Sequence, residues 1–90
     1  MTYSRDNVVT AIEKLVSDEG TLRVRNHVDG NHYKIDHKLK ITYKRGKLVI
    51  AGVTGNTKVK EEISLEDYKI EDIDIDASTV VIAGDFEFLK

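Results

Sequence analysis

Three histidines, His27, His32 and His37, recur at intervals of five, and evenly spaced imidazoles are the first candidates for metal ligation. The turn between them argues against that chemistry. Asp29-Gly30 is the strongest short hairpin signal in the chain, because a type I′ turn needs positive φ at both central residues. A two-residue loop there makes paired positions sum to 59, so His27 faces His32 while His37 falls on the opposite side of the ribbon. Two imidazoles beside Arg25 and Lys34 make a cationic spot that disfavours a divalent ion, and no metal site is expected.

Asp72-Ile73-Asp74-Ile75-Asp76 carries a carboxylate at every second residue, like the opening of a calcium loop. Ala77 stands where the turn glycine belongs and Ala83 where the bidentate glutamate belongs, so the calcium pattern fails. The alternating isoleucines make this an amphipathic strand instead. Its acids, with Glu71 beside them, are expected to project from one face at intervals of about 6.6–6.8 Å. Such a row can engage a basic surface, including one built for nucleic-acid phosphates.

Gly52-Val53-Thr54-Gly55 has the two-glycine spacing of a nucleotide-clamping loop, but it lies between strand-like segments and reads as a hairpin turn. Ser4, Ser17, Ser64 and Ser78 sit at expected caps and turns, with no nucleophile elbow and no convergent histidine. No nucleophile, base and orienting group can be assembled. Neither catalytic residues nor a cofactor are expected, and the chain reads as a non-enzyme.

Charge is more informative than any motif. The formal net charge is −2, yet residues 1–20 sum to −2, residues 21–60 to +8 and residues 61–90 to −8. Segregation of this kind bears on partners and association rather than on fold, unless basic and acidic strands simply neutralise one another as neighbours. With 40% hydrophobic and 33% charged residues, the 90-residue chain is too apolar for a disordered tail and too broken by charge for a membrane span. The absence of cysteine excludes a disulfide scaffold, a thiol nucleophile and Cys-ligated zinc. The opening residues contain no apolar segment of the signal-peptide type, so a cytoplasmic location is the expectation.

The elements that position these charges follow from periodicity. Val8, Ile12, Leu15 and Val16 recur at helical spacing over residues 5–18, widened by Val9 and Ala11, with Ser4 as N-cap, Asp6 in the first turn and Gly20 as the stop. From Thr21 the period becomes two. The 59-sum register sets Val24 opposite Ile35, Asn26 opposite Tyr33 and Leu22 opposite His37, with Arg25 opposite Lys34 and Arg23 opposite Asp36 on the polar side. Leu39, Ile41 and Tyr43 continue the apolar face, so a single long strand over 31–44 with a bend or bulge is expected.

A hairpin at Arg45-Gly46 pairs Tyr43 with Leu48 and Ile41 with Ile50, and turns Val49, Ala51 and Val53 to the lysine-bearing face. A turn at Gly55-Asn56 has a poor return strand, short or bulged, because Glu61 would land beside Ile50. Ser64-Leu65-Glu66-Asp67 has capping-box spacing and predicts a helical turn near 65–69. A last hairpin pairs 70–76 with 79–89, Ile75 opposite Val80 and Ile73 opposite Ile82. Val80-Val81-Ile82-Ala83 forms a central strand there, and Gly84 a bulge before Phe86 and Phe88. The expected fold is α+β: a single domain over 1–90 with one N-terminal helix on an antiparallel meander sheet of five or six strands spanning 21–89, able to curl into a half-barrel.

Val49, Ala51, Val53, Val81 and Ala83 are small apolar residues among lysines on one side and aspartates on the other, the composition of an association patch. The leading expectation is a non-enzymatic protein-binding module. Its partner is a second copy, a basic nucleic-acid-handling protein met by Glu71, Asp72, Asp74 and Asp76, or both, and a compact inhibitor of the kind phages encode fits. An alternative is nucleic-acid binding through the basic hairpin face 23–47, using Arg23, Arg25, Lys34, Lys38, Lys40 and Lys44 to neutralise phosphates. Tyr33 and Tyr43 fall on its apolar side, so it offers no stacking platform. A further alternative is a structural subunit that assembles head to tail through oppositely charged ends. No membrane partner is expected.

Overall fold

The helical stripe does form a helix, α1 (Arg5–Leu15), which buries Val8, Ile12 and Leu15 completely or nearly so. The computed structural model describes residues 5–90, so the cap expected at Ser4 lies outside the described residues. The helix ends before its expected limit at 18. Ser17 takes over there: its N–H donates to the Thr21 carbonyl at 3.1 Å, its hydroxyl lies 2.6 Å from that of Thr21, and Gly20 belongs to the turn rather than to the helix end.

Eight strands follow: β1 (Leu22–Asn26), β2 (Asn31–Ile35), β3 (His37–Lys44), β4 (Lys47–Thr54), β5 (Thr57–Ser64), β6 (Ile73–Ile75), β7 (Thr79–Ile82) and β8 (Phe86–Leu89). They make two antiparallel sheets, one in the order β2-β1-β8-β7-β6 and one in the order β3-β4-β5. This overturns the single meander and the half-barrel, since neither sheet closes or curls. The first and last strands, β1 and β8, are neighbours in the larger sheet, and the smaller sheet is inserted between β2 and β6 in sequence.

The change of sheet falls inside the expected long strand. Its two halves are β2 and β3, separated at Asp36, where the Asp36 N–H donates to the Val53 carbonyl and the Gly55 N–H donates to Asp36 Oδ2, both at 2.8 Å. Immediately beyond, the register of β3 on β4 shifts between His37 and Lys40, with Lys38 at φ 57. The expected bulge is therefore present, but it accompanies a change of sheet rather than a kink in one strand.

The first hairpin is also re-registered. Leu22 pairs with Ile35, Val24 with Tyr33, Arg25 with His32 and Asn26 with Asn31, so the loop holds four residues, 27–30, rather than two. The cause is Asn26, whose Oδ1 accepts from the Val28 N–H at 2.9 Å and the Asp29 N–H at 3.0 Å. That side-chain turn occupies backbone donors that a two-residue loop would use otherwise. Because the shift is two positions, the residues that remain paired, 22–26 and 31–35, keep their faces.

Other expectations fare differently. Arg45-Gly46, at φ 55 and 79, is the two-residue turn foreseen, and it sets Tyr43 opposite Leu48 and Ile41 opposite Ile50. Ile73 opposite Ile82 and Ile75 opposite Val80 are likewise found. Residues 65–69 hold a 3-10 turn, Leu65–Asp67, with Ser64 as its N-cap but without a side-chain cap bond. A second such turn, Ile70–Asp72, shortens the acidic strand to three residues. The segment 79–89 is not one strand with a bulge at Gly84. Ala83-Gly84-Asp85 is a tight turn, and β8 folds back on β7 with Phe86 opposite Ile82.

Helix α1 packs on β7 and also touches β8 and β3, while β2 lies over β4. The inner faces close around Leu22, Val24, Ile35, Leu48, Ile50, Ile63, Ile73, Val80, Ile82 and Phe88, all at most 2% exposed. No helix among the described residues is long and apolar enough to cross a membrane.

Candidate functional site

The β4–β5 hairpin builds the surface of interest, and it does so in a register that sequence reasoning distrusted. Gly55-Asn56 closes a full ladder in which Ile50 pairs with Glu61, Ala51 with Lys60 and Val53 with Lys58. The return strand is neither short nor bulged. Glu61 is tolerated on the inner face because it is partnered: Asn26 Nδ2 donates to its two carboxylate oxygens at 3.0 and 3.2 Å, and the Tyr33 hydroxyl bonds it as well. A half-buried carboxylate with two donors avoids most of the penalty that an orphaned one would carry.

Once β5 is in place, alternation decides what faces outward. On the outer side of the smaller sheet, β4 presents Lys47, Val49, Ala51 and Val53, β3 presents Lys38, Lys40, Thr42 and Lys44, and β5 presents Lys58, Lys60, Glu62 and Ser64. Val49, Ala51 and Val53 thus form a half-buried apolar line down the central strand, between lysine-bearing strands separated by about 9–10 Å, two interstrand spacings. Two hollows indent this trough. One, of about 390 Å³, has Ala51, Gly52 and Val53 in its floor and Lys38, Lys40, Lys58 and Lys60 around it. The other, of about 530 Å³, lies by Val49 between Lys44, Arg45 and Lys47.

Glu62 is the one carboxylate on this face among the described residues. It lies 3.1 Å from Lys60 Nζ and 3.6 Å from Lys47 Nζ, and the bond from Lys60, followed by the charge of Lys47, holds its carboxyl below the ordinary value. Among the described residues no carboxylate lies within 4 Å of the Lys38, Lys40, Lys44 or Lys58 ammonium groups.

The basic face expected on one hairpin is divided. Arg23, Arg25 and Lys34 belong to the outer face of the five-stranded sheet, and Lys38, Lys40 and Lys44 to that of the three-stranded sheet. The first set is partly neutralised: Glu87 lies 3.6 Å from Arg25 and 3.3 Å from His27, and Arg23 Nη2 donates to the Lys90 carbonyl at 2.9 Å. His27 is in the loop rather than opposite His32, although the rings still meet edge to face at 5.3 Å, and His37 begins a strand of the other sheet.

The association patch is divided in the same way. Val81 faces outward from β7 in the larger sheet, and Ala83 is exposed in the following turn, both away from the Val49-Ala51-Val53 line. Of the acidic row, only Asp74 projects from a strand. Glu71 and Asp72 belong to the second 3-10 turn, and Asp76 opens the β6–β7 loop, where its Oδ1 accepts from the Ala77 N–H. All four remain exposed.

Sequence reasoning missed Lys47, Lys58 and Lys60 as members of the site. For Lys58 and Lys60 the signal was their alternation with Val59, masked by the unexplained Glu61; for Lys47 it was its place before Leu48 on the face of Val49.

The inner polar cluster has a titration consequence. Burial foremost, then the Glu61 charge and the bond to it, push the Tyr33 phenol well above its ordinary value of 10.0. Tyr68 moves the same way through burial and its 3.0 Å bond to Asp85. The folded chain keeps protons that the unfolded chain releases, so this stability is fully present below pH about 10 and is lost as pH rises beyond it. Urea midpoints measured between pH about 9 and 11.5 should fall more steeply for the wild type than for Tyr33→Phe. Parallel curves would contradict the assignment.

Compared with known proteins, the chain matches no family model, no curated protein and no solved structure.

Proposed function

We propose that this chain is a non-enzymatic protein-binding module whose working surface is the lysine-flanked trough of β3-β4-β5, and that its partner presents an acidic, partly apolar surface. The observation that carries this reading is the apolar line Val49-Ala51-Val53 set between lysine-bearing strands with Glu62 as the single acid. An apolar centre with a charged rim suits protein association: the centre supplies burial, and the rim supplies orientation and partner choice. The acidic segment 71–76 gives weaker support for engaging a basic protein, because its carboxylates no longer share one strand face.

Nucleic-acid binding by the same face is the second reading, favoured by the four lysines without a carboxylate partner. Lysine suits diffuse phosphate contact, and a face without aromatic groups offers no stacking platform for a single strand, which favours a duplex.

One substitution separates the two. Ala51→Lys places a cation in the middle of the apolar line. It should weaken binding to a peptide of alternating glutamate and valine about tenfold or more, while strengthening binding to a random DNA duplex and steepening its salt dependence. Changing Lys40, Lys58 and Lys60 together to glutamine should weaken both. If neither probe binds the unaltered chain at low salt, both readings are wrong.

A further inference from the structure

Resting on the reading of the trough as a protein-binding surface, we infer that the partner is a second copy of this chain, which inserts its acidic corner at β6 so that copies join head to tail. The corner matches the trough in charge. Across residues 69–76 it carries Glu71, Asp72, Asp74 and Asp76 against Lys69 alone, all exposed. The trough carries six lysines against Glu62 alone.

The match extends to the apolar component. Asp74 stands beside Val81 on the outer face of the β6–β7 ladder, and Ala77 and Ala83 are exposed in the loops at either end of β7. Small apolar groups rimmed by carboxylates are the complement of small apolar groups rimmed by ammonium groups. Strand β6 is also the edge of its sheet, so another chain can approach it without displacing a neighbour.

Within one copy the two surfaces do not satisfy each other. Among the described residues, none of the four corner carboxylates lies within 4 Å of a lysine, arginine or histidine nitrogen. The two surfaces lie apart in the fold: Asp74 is on β6 of the five-stranded sheet, with Glu71, Asp72 and Asp76 flanking that strand, whereas the trough belongs to the three-stranded sheet. A second copy supplies each with its counterpart. Because the two patches differ, the contact is heterologous: it leaves a free trough at one end and a free corner at the other, and repeats as a ring or an open chain. The rims are solvent-exposed, so the association is strongest at low ionic strength, where screening is least.

The test uses two triple variants of the full chain. Asp72→Asn, Asp74→Asn and Asp76→Asn disable the corner and leave the trough. Lys40→Gln, Lys58→Gln and Lys60→Gln disable the trough and leave the corner. All six side chains are exposed, and matching urea midpoints would verify that folding is retained. By light scattering at salt of about 0.01 M, the unaltered chain should gain mass with concentration, and it should return to the monomer near 1 M.

Each variant alone should remain monomeric. Mixed, they should form a complex of one copy of each and stop there, because only one working corner and one working trough remain. An unaltered chain that stays monomeric at low salt overturns the inference, as does a variant that still assembles alone or a mixture that forms nothing. The Glu-Val peptide tells that failure from failure of the underlying reading. A monomer that still binds the peptide through the lysines loses only the second-copy partner; a monomer that does not bind it loses the protein-binding trough as well.

Discussion

Gly52→Val is expected to destabilise the fold by about 3 kcal/mol, a third or more of the stability usual for a domain of this size. On sequence grounds the change looks favourable, since valine is a strong strand former and Gly52 lies in the middle of β4. The inner face opposes it. A Cβ on Gly52 would overlap Ile35 Cγ2, a fully buried side chain of β2, and would sit 3.3 Å from the His37 carbonyl oxygen. Gly52 is therefore the gap through which β2 crosses over β4 where the two sheets meet. Neither a 0%-exposed isoleucine nor a backbone carbonyl can move aside cheaply. The measurement is a urea titration, read as a lowered midpoint at unchanged slope, with thermal unfolding about 12 °C or more lower. Gly52→Ala should show the same sign at smaller size. Ile35→Ala in the Gly52→Val background should cost less than it does alone, because it removes the overlapping methyl. A neutral Gly52→Val would mean that β2 does not approach β4 at this point.

The same crossing marks the limit of what alternation can reveal. Tyr33, Ile35, Leu39, Ile41 and Tyr43 keep one parity through two strands that belong to different sheets, so nothing in the pattern announces the break at Asp36. The bulge residue is Lys38 at φ 57, and a lysine carries no signal of positive φ. Where a glycine turn was flanked by inward-facing apolar residues, as at Arg45-Gly46, the register was legible to the residue. The Ile73–Ile82 pairing was legible for a related reason: short strands of buried isoleucine and valine admit one register. The helix was legible as to existence and face but not as to its end, which Ser17 and Thr21 decide by a local hydrogen-bonded turn.

The candidate site was half legible. Charge segregation and the facing of Val49, Ala51 and Val53 pointed to it, but its second lysine row depends on accepting Glu61 next to Ile50. That acceptance depends on Asn26, 35 positions away in sequence. A carboxylate on an apolar face is an error signal until its donor is known, and the donor comes from another sheet.

Asn26 is accordingly expected to be the most sensitive polar position in the molecule. At 5% exposed, it holds the 27–30 loop with Oδ1 and donates to both Glu61 oxygens with Nδ2, which also lies 3.3 Å from Asp29 Oδ2. Asn26→Ala removes all of these bonds and leaves two backbone N–H groups and a half-buried carboxylate short of partners, for an expected loss of about 2–4 kcal/mol. Asn26→Asp is the sharper probe because its shape is the same. It keeps the acceptor for the loop but replaces the donor with an oxygen aimed at two carboxylates. Its loss at pH 7 should match or exceed that of the alanine, and should shrink as the pH falls and the new carboxyl takes up a proton. Glu61→Gln in the same chain exchanges donor for acceptor across the pair, and should recover a large part of the loss that Asn26→Asp incurs alone. Urea midpoints for the two single variants and the double variant at pH 7 and at about pH 4.5 read the whole cycle. Additive losses without recovery would show that Asn26 acts on its loop alone and that Glu61 is held in β5 by something else.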